Sequence, residues 1–134
     1  MKLKGKVKKG LGNASFWVKK IEEVFYKRTG MKVFHGTLNI ELEQPYELEN
    51  YWTIEKDEYG GMYQVYVQEC EILNQKAYIV RSAGTAHKSN IIEIVSDINF
   101  RESFNLNDGD DISIKVSTLF PTSHISPLTS CKKN

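Results

Sequence analysis

The chain opens on a strict alternation: Leu3, Gly5 and Val7 interleave with Lys4, Lys6 and Lys8, the period-2 pattern of a half-buried strand. Gly10-Leu11-Gly12-Asn13 breaks that rhythm with residues that tolerate turn geometry. Trp17, Val18, Ile21, Val24 and Phe25 then recur at helical spacing, with Lys19, Lys20, Glu23 and Lys27 opposite and Gly30 as the stop. The pattern predicts strand, glycine loop and helix, in that order. Alternation returns over Gly36–Glu43, where Leu38, Ile40 and Leu42 face one way and Thr37, Asn39 and Glu41 the other.

Further on, aromatic and β-branched runs at Tyr51–Lys56 and Met62–Leu73 flank Tyr59-Gly60-Gly61 and read as a hairpin. Asn74-Gln75 reads as a second turn, leading into a strand over Ala77–Arg81. A polar loop, Ser82–Asn90, precedes a short apolar strand at Ile91–Val95, and Phe100–Phe104 suits one helical turn. Asn107-Asp108-Gly109-Asp110 is a turn before a last strand at Ile112–Val116. Six or more short strands with one helix predict a mainly β fold: a small β-barrel with one helix inserted near the N-terminus. The barrel domain is expected over residues 1–117. Residues 118–134 turn to Ser, Thr, Pro and Lys and are expected to form a flexible tail.

Length and composition agree with this picture. The chain has 134 residues, about one domain, and 40% hydrophobic residues is enough for a core without metal or disulfide staples. No apolar run approaches the roughly 18 residues of a membrane span, so no membrane partner is expected. The basic start, Met1–Lys6, has no apolar stretch behind it, and Cys70 and Cys131 make no disulfide framework. A cytoplasmic location is the resulting expectation.

Net charge is +1, but it is unevenly distributed. Residues 1–32 hold ten basic side chains against Glu22 and Glu23, a net +8, while the rest holds eight basic against fifteen acidic, a net −7. Such an end meets phosphate, on a nucleotide or on nucleic acid, or simply serves as a solvated lysine surface.

Three segments could carry chemistry. The loop Lys8-Lys9-Gly10-Leu11-Gly12-Asn13 runs from strand to helix, where backbone N–H groups and a helix N-terminus can approach an anion; an ordinary connecting turn would look the same. It is neither a Walker sequence nor a full dinucleotide fingerprint. Thr37 and Asn39 lie two apart on one strand face, so a hydroxyl and an amide oxygen could share one hard cation, or merely decorate an exposed strand. Glu93 interrupts the apolar run Ile91-Ile92-Glu93-Ile94 and needs a partner there: a ligand hydroxyl or N–H, a backbone N–H, or an arginine such as Arg101. His35, His87 and His124 have no metal-ligand spacing, and Cys70 sits in an apolar strand as a core residue.

Taken in order, these segments resemble the archaeal-type CTP-dependent riboflavin kinases. The matching pieces are Gly5-Lys6-Val7 with Gly10-Leu11-Gly12, Gly36-Thr37-Leu38-Asn39, Thr85-x-His87 and Ile91-Ile92-Glu93-Ile94. Arg101-Glu102-x-Phe104-Asn105-Leu106-x-Asp108-Gly109-Asp110 completes the set, over roughly residues 4–116. The resemblance implies a six-stranded cradle-loop β-barrel that moves the γ-phosphate of CTP to the 5′-hydroxyl of riboflavin, giving FMN and CDP. It places nucleotide contacts on Gly10, Leu11, Gly12, Asn13, Ala14 and Ser15 and on Ile98, Asn99, Phe100 and Arg101. It places Mg²⁺ on Thr37 and Asn39, and riboflavin on Thr85 and Glu93, with Glu93 the residue expected to act in catalysis. Where family members continue with a further glycine and a larger polar or basic residue, this chain has Asn13-Ala14-Ser15, so Lys8, Lys9 or Lys19 would supply the missing cation.

Two other classes stay open at this point. One is a non-catalytic flavin- or nucleotide-binding module on the same barrel; the other is a nucleic-acid-binding barrel using the basic end. Nucleic acid is the less favoured partner because it leaves Thr37, Asn39 and Glu93 without a role. A monomer is the default expectation.

Overall fold

The computed structural model describes residues 1–85 and 87–116; the expected tail, 118–134, lies outside the described residues. Seven strands form one antiparallel sheet: β1 (Lys2–Lys8), β2 (Leu38–Leu42), β3 (Trp52–Ile54), β4 (Val65–Ile72), β5 (Gln75–Ser82), β6 (Ile91–Val95) and β7 (Asp111–Val116). Their order is β3-β4-β5-β6-β2-β1-β7, and β4 also pairs with β7 through Cys70↔Val116 and Glu71↔Lys115. That last pairing closes six strands into a barrel. β3 lies outside the ring, sharing with β7 the free edge of β4.

Alternation decides what fills the barrel. Val7, Leu38, Ile40, Ile72, Ile79, Ile92, Ile94 and Ile114 point inward and form one buried cluster. The opposite faces of β3 to β6 carry Trp52, Val65, Val67, Tyr78, Val80 and Val95, which form a second cluster with one helix. That helix, α1 (Ala14–Thr29), buries Val18, Ile21 and Phe25 against it, and Phe25 meets Tyr78 edge-on at 5.0 Å. Gly30 ends α1 in the left-handed conformation, and Arg28 pins its C-terminal turn by donating to the Thr53 carbonyl at 2.7 Å.

Several boundaries differ from the sequence expectation. The turn joining β4 and β5 is Leu73-Asn74, both at positive φ, rather than Asn74-Gln75. Keeping Ile72 and Ala77 inside the barrel sets the register Ile72↔Gln75, so the turn falls one residue earlier despite Leu73 being a poor left-handed residue. The expected hairpin over 51–73 forms, but its strands shorten to Trp52–Ile54 and Val65–Ile72. A single helical turn, α2 (Lys56–Tyr59), occupies the connection because Glu55 and Glu58 make a capping box. The helical turn expected near Phe100 is α3 (Phe100–Ser103), capped by Asn99, whose side chain accepts from the Glu102 N–H. Among the described residues no helix is long and apolar enough to cross a membrane.

Candidate functional site

Cross-strand pairing lines up one row of side chains on the outer face of the sheet. Lys8 pairs with Asn39, Asn39 with Glu93, Glu93 with Val80, Val80 with Val67, and Val67 with Trp52. Directly opposed residues share a face, so this row spans β1, β2, β6, β5, β4 and β3. Its apolar half lies under α1; its polar half holds two of the residues singled out from sequence.

Asn39 does not sit on an exposed face as its alternation suggested: it is 5% exposed. Its amide N–H donates to Thr37 Oγ1 at 3.2 Å, and its Oδ1 is buried with no hydrogen-bond partner among the described residues. A Cβ on Gly10 would come within 2.6 Å of the Asn39 amide nitrogen, so the glycine loop rests its backbone on that side chain. Gly12, at φ +90°, supplies the loop's left-handed turn.

Ala14 and Ser15 stand in the first turn of α1, where alanine is an ordinary helix former and adds no strain. Asn13 precedes them at the cap position but makes no side-chain cap hydrogen bond, and the first turn has no acidic residue. The free amides there make this end of α1 electropositive and receptive to an anion.

The second expected nucleotide segment approaches from the other side. Ile98, Asn99, Phe100 and Arg101 share a small cavity, about 40 Å³, with Thr37. Arg101 donates to the Lys8 carbonyl at 3.2 Å and pairs with Asp108, tying α3 to the strand end that launches the glycine loop. It is therefore not the partner of Glu93.

That partner is His87. His87 Nε2 lies 3.0 Å from Glu93 Oε1, with the two side chains 10% and 14% exposed. Burial pushes the Glu93 carboxyl above its ordinary value, and the adjacent His87 opposes the rise. Thr85 belongs to the same unit, its Oγ1 accepting from the His87 N–H at 3.2 Å.

Thr85, His87 and Glu93 line a cavity of about 280 Å³. Its lining also includes Phe16 and Trp17 of α1 and Met62 and Tyr63 of the β3–β4 connection. Phe16 and Met62 are largely exposed, unusual for apolar side chains gathered in one place, and such a patch marks a ligand surface. Tyr63 packs on Gly84, where a Cβ would come within 2.4 Å of its ring. A larger groove, about 900 Å³, lies over β1 and β7 and contains none of the expected site residues.

The fold thus gathers the glycine loop, Thr37, Asn39, Glu93 and Ile98–Arg101 around the polar half of one row, with Thr85 across the neighbouring cavity. Sequence reading missed the cavity walls and the His87–Glu93 bond. The walls come from segments more than forty residues apart, and the only local hint was the aromatic run beside Gly60-Gly61. Among the described residues no group of three or more His, Cys, Asp or Glu side chains is placed to hold a metal. A cation here would rest on neutral oxygens, those of Thr37 and Asn39.

Comparison with known proteins gives one consistent result. The family described as domain of unknown function DUF120, a group of CTP-dependent riboflavin kinases, matches residues 7–116. A riboflavin kinase of Staphylothermus marinus is 34% identical over 119 residues, 87% of this chain and 92% of that protein. A riboflavin kinase of Methanobrevibacter smithii is 30% identical over 86% of this chain and 99% of its own length. The match to a riboflavin kinase of Methanocella arvoryzae, 29% identical, covers 85% of this chain but only 56% of that protein.

Proposed function

The chain belongs to the archaeal-type CTP-dependent riboflavin kinases, a family of phosphotransferases, and from that membership we propose that it moves the γ-phosphate of CTP to the ribityl 5′-hydroxyl of riboflavin, giving FMN and CDP. The observation that carries this reading is the stacking of Gly10 on Asn39 and the pairing of Asn39 with Glu93. Donor loop, cation oxygens and acceptor-side carboxylate stand side by side.

Each element has a physical task. Amides of Gly10–Asn13 and of Ala14 and Ser15 in the first helical turn hold the phosphates, and Lys8, Lys9 and Lys19 add positive charge nearby. Ile98–Arg101 closes the nucleotide site on its far side. With the Asn39 amide turned over, so that Oδ1 rather than the nitrogen meets Thr37 Oγ1 and Gly10, these two oxygens would hold a magnesium ion together with phosphate oxygens; Oδ1 is buried and has no other partner among the described residues. Magnesium bound there supplies neutralisation of phosphate charge. The flavin ring enters between Phe16, Trp17, Met62 and Tyr63, which places its ribityl chain toward Thr85 and Glu93. Phosphoryl transfer asks mainly for alignment and charge compensation, so few acidic groups suffice.

The test is purified protein with riboflavin and Mg²⁺, given CTP or ATP in parallel, with FMN resolved by chromatography. FMN formed preferentially with CTP is the expected result. FMN with ATP alone overturns the donor assignment, and no FMN with either points to a non-catalytic flavin- or nucleotide-binding module.

A further inference from the structure

We propose that His87 is a positioning residue for the transfer: it holds one oxygen of the Glu93 carboxylate so that the other faces the riboflavin hydroxyls. The inference rests on the riboflavin kinase reading of this site and adds a residue to it.

Glu93 needs to be held because of where it stands. Its strand neighbours Ile91, Ile92, Ile94 and Val95 are all buried, as is Val80 across the sheet. A carboxylate in such surroundings has few partners to fix it, and a free rotamer would lose alignment with a hydroxyl. His87 bonds Oε1 at 3.0 Å, no bond to Oε2 is made among the described residues, and both residues line the same cavity. With a proton on Nε2 the ring donates that bond and fixes the carboxylate's rotation.

The loop that carries His87 is built to deliver it. Gly84 lets the chain pass beneath the Tyr63 ring, and the Gly84 N–H donates to Ser82 Oγ at 3.1 Å. The His87 N–H then donates to Thr85 Oγ1, so Thr85, His87 and Glu93 form one hydrogen-bonded chain. His87 itself stands on the loop between β5 and β6, outside the strands that close the barrel.

A double-mutant cycle tests this, with His87→Ala, Glu93→Gln and the double variant read by riboflavin kcat and KM and by quenching of riboflavin fluorescence. His87→Ala should lower kcat/KM by roughly 30-fold, within the range seen when a supporting partner is removed from a functional group. On the Glu93→Gln background the same change should add less than about twofold, because His87 acts through Glu93. His87→Gln, which restores an N–H donor at similar reach, should recover to within about threefold of wild type. Multiplicative losses, an unaffected His87→Ala, or a His87→Gln as poor as His87→Ala would each overturn the proposal. If the wild type forms no FMN, the kinase reading falls separately. The cycle is then decided by riboflavin quenching: non-additive losses support the role of His87, whereas additive losses or no quenching by the wild type overturn it.

Discussion

The two halves of the row from Lys8 to Trp52 use the same backbone geometry for opposite ends. Under α1, Val80, Val67 and Trp52 pack in one buried cluster with Phe25, Ile21 and Val18, and the Arg28 guanidinium lies over the Trp52 ring at 5.2 Å. Beyond the edge of the helix, Glu93 and Asn39 are nearly as buried yet poorly satisfied: among the described residues Glu93 has one side-chain partner and Asn39 Oδ1 has none. Stable sheets do not leave such groups at neighbouring positions without a use. The helix cover stops where the chemistry starts, so one half of the row should answer to mutation in stability and the other in turnover.

The largest effects separate the halves most sharply. Asn39→Ala should cut turnover by at least about 100-fold through loss of a cation ligand, with a melting temperature only modestly below wild type, because it gives up one 3.2 Å hydrogen bond to Thr37 and an oxygen with no partner among the described residues. An Asn39→Ala protein with normal activity would remove the assigned cation site. Phe25→Ala should do the reverse. It empties a fully buried ring position against Tyr78 and Trp52, costing about 3–5 kcal/mol and lowering Tm by on the order of 10 °C or more. The protein that remains folded should keep its kcat, as measured below its melting transition.

A smaller effect belongs to the rim. Replacing Lys8 and Lys9 together with alanine should raise the nucleotide KM by about tenfold and leave kcat nearly unchanged, since both lysines flank the glycine loop. An unchanged KM would show that the helix amides alone hold the donor. Lys8 is within 3.9 Å of Glu41, so part of its charge is already engaged and Lys9 should carry the larger share.

The smallest effect concerns stability at the site. Burial raises the folded-state pKa of Glu93, so between the unfolded value of 4.5 and that higher value the native state binds more protons and stability falls as pH rises. Glu93→Gln should therefore melt slightly higher than wild type at pH 7, and the gap should close near pH 4. Turnover should fall in the same variant but stay measurable. A Glu93→Gln protein less stable than wild type at pH 7 would mean that the carboxylate supports the fold.

Much of this was legible in the sequence, for physical reasons that differ by region. Period-2 alternation placed Leu38, Ile40 and Leu42 inside and Thr37 and Asn39 together, because side-chain direction in a strand follows from position alone. The 3.6-residue stripe gave Val18, Ile21 and Phe25 as the buried face of α1 in the same way. What alternation does not reveal is which strand lies beside which. The approach of Gly10 to Asn39 and the burial of Asn39 depend on the order β6-β2-β1, whereas the partner of Glu93, His87, stands on the loop entering its own strand and depends on how that loop folds back. Arg101 was a reasonable partner for Glu93 by charge, but α3 aims it at the Lys8 carbonyl and Asp108. The Leu73-Asn74 turn shows the same limit at short range, where barrel register overrode the preference of a single residue.

The central claim is that both substrates meet at the polar half of this row, and amide chemical-shift mapping on the wild-type protein tests it most directly. With CTP and Mg²⁺, the largest shifts should fall on Gly10–Ser15, Thr37, Asn39 and Ile98–Arg101; with riboflavin, on Tyr63, Thr85, His87 and Glu93. Shifts from either ligand concentrated instead on Lys2, Lys4, Lys6 and Lys115, along the groove over β1 and β7, would contradict the account.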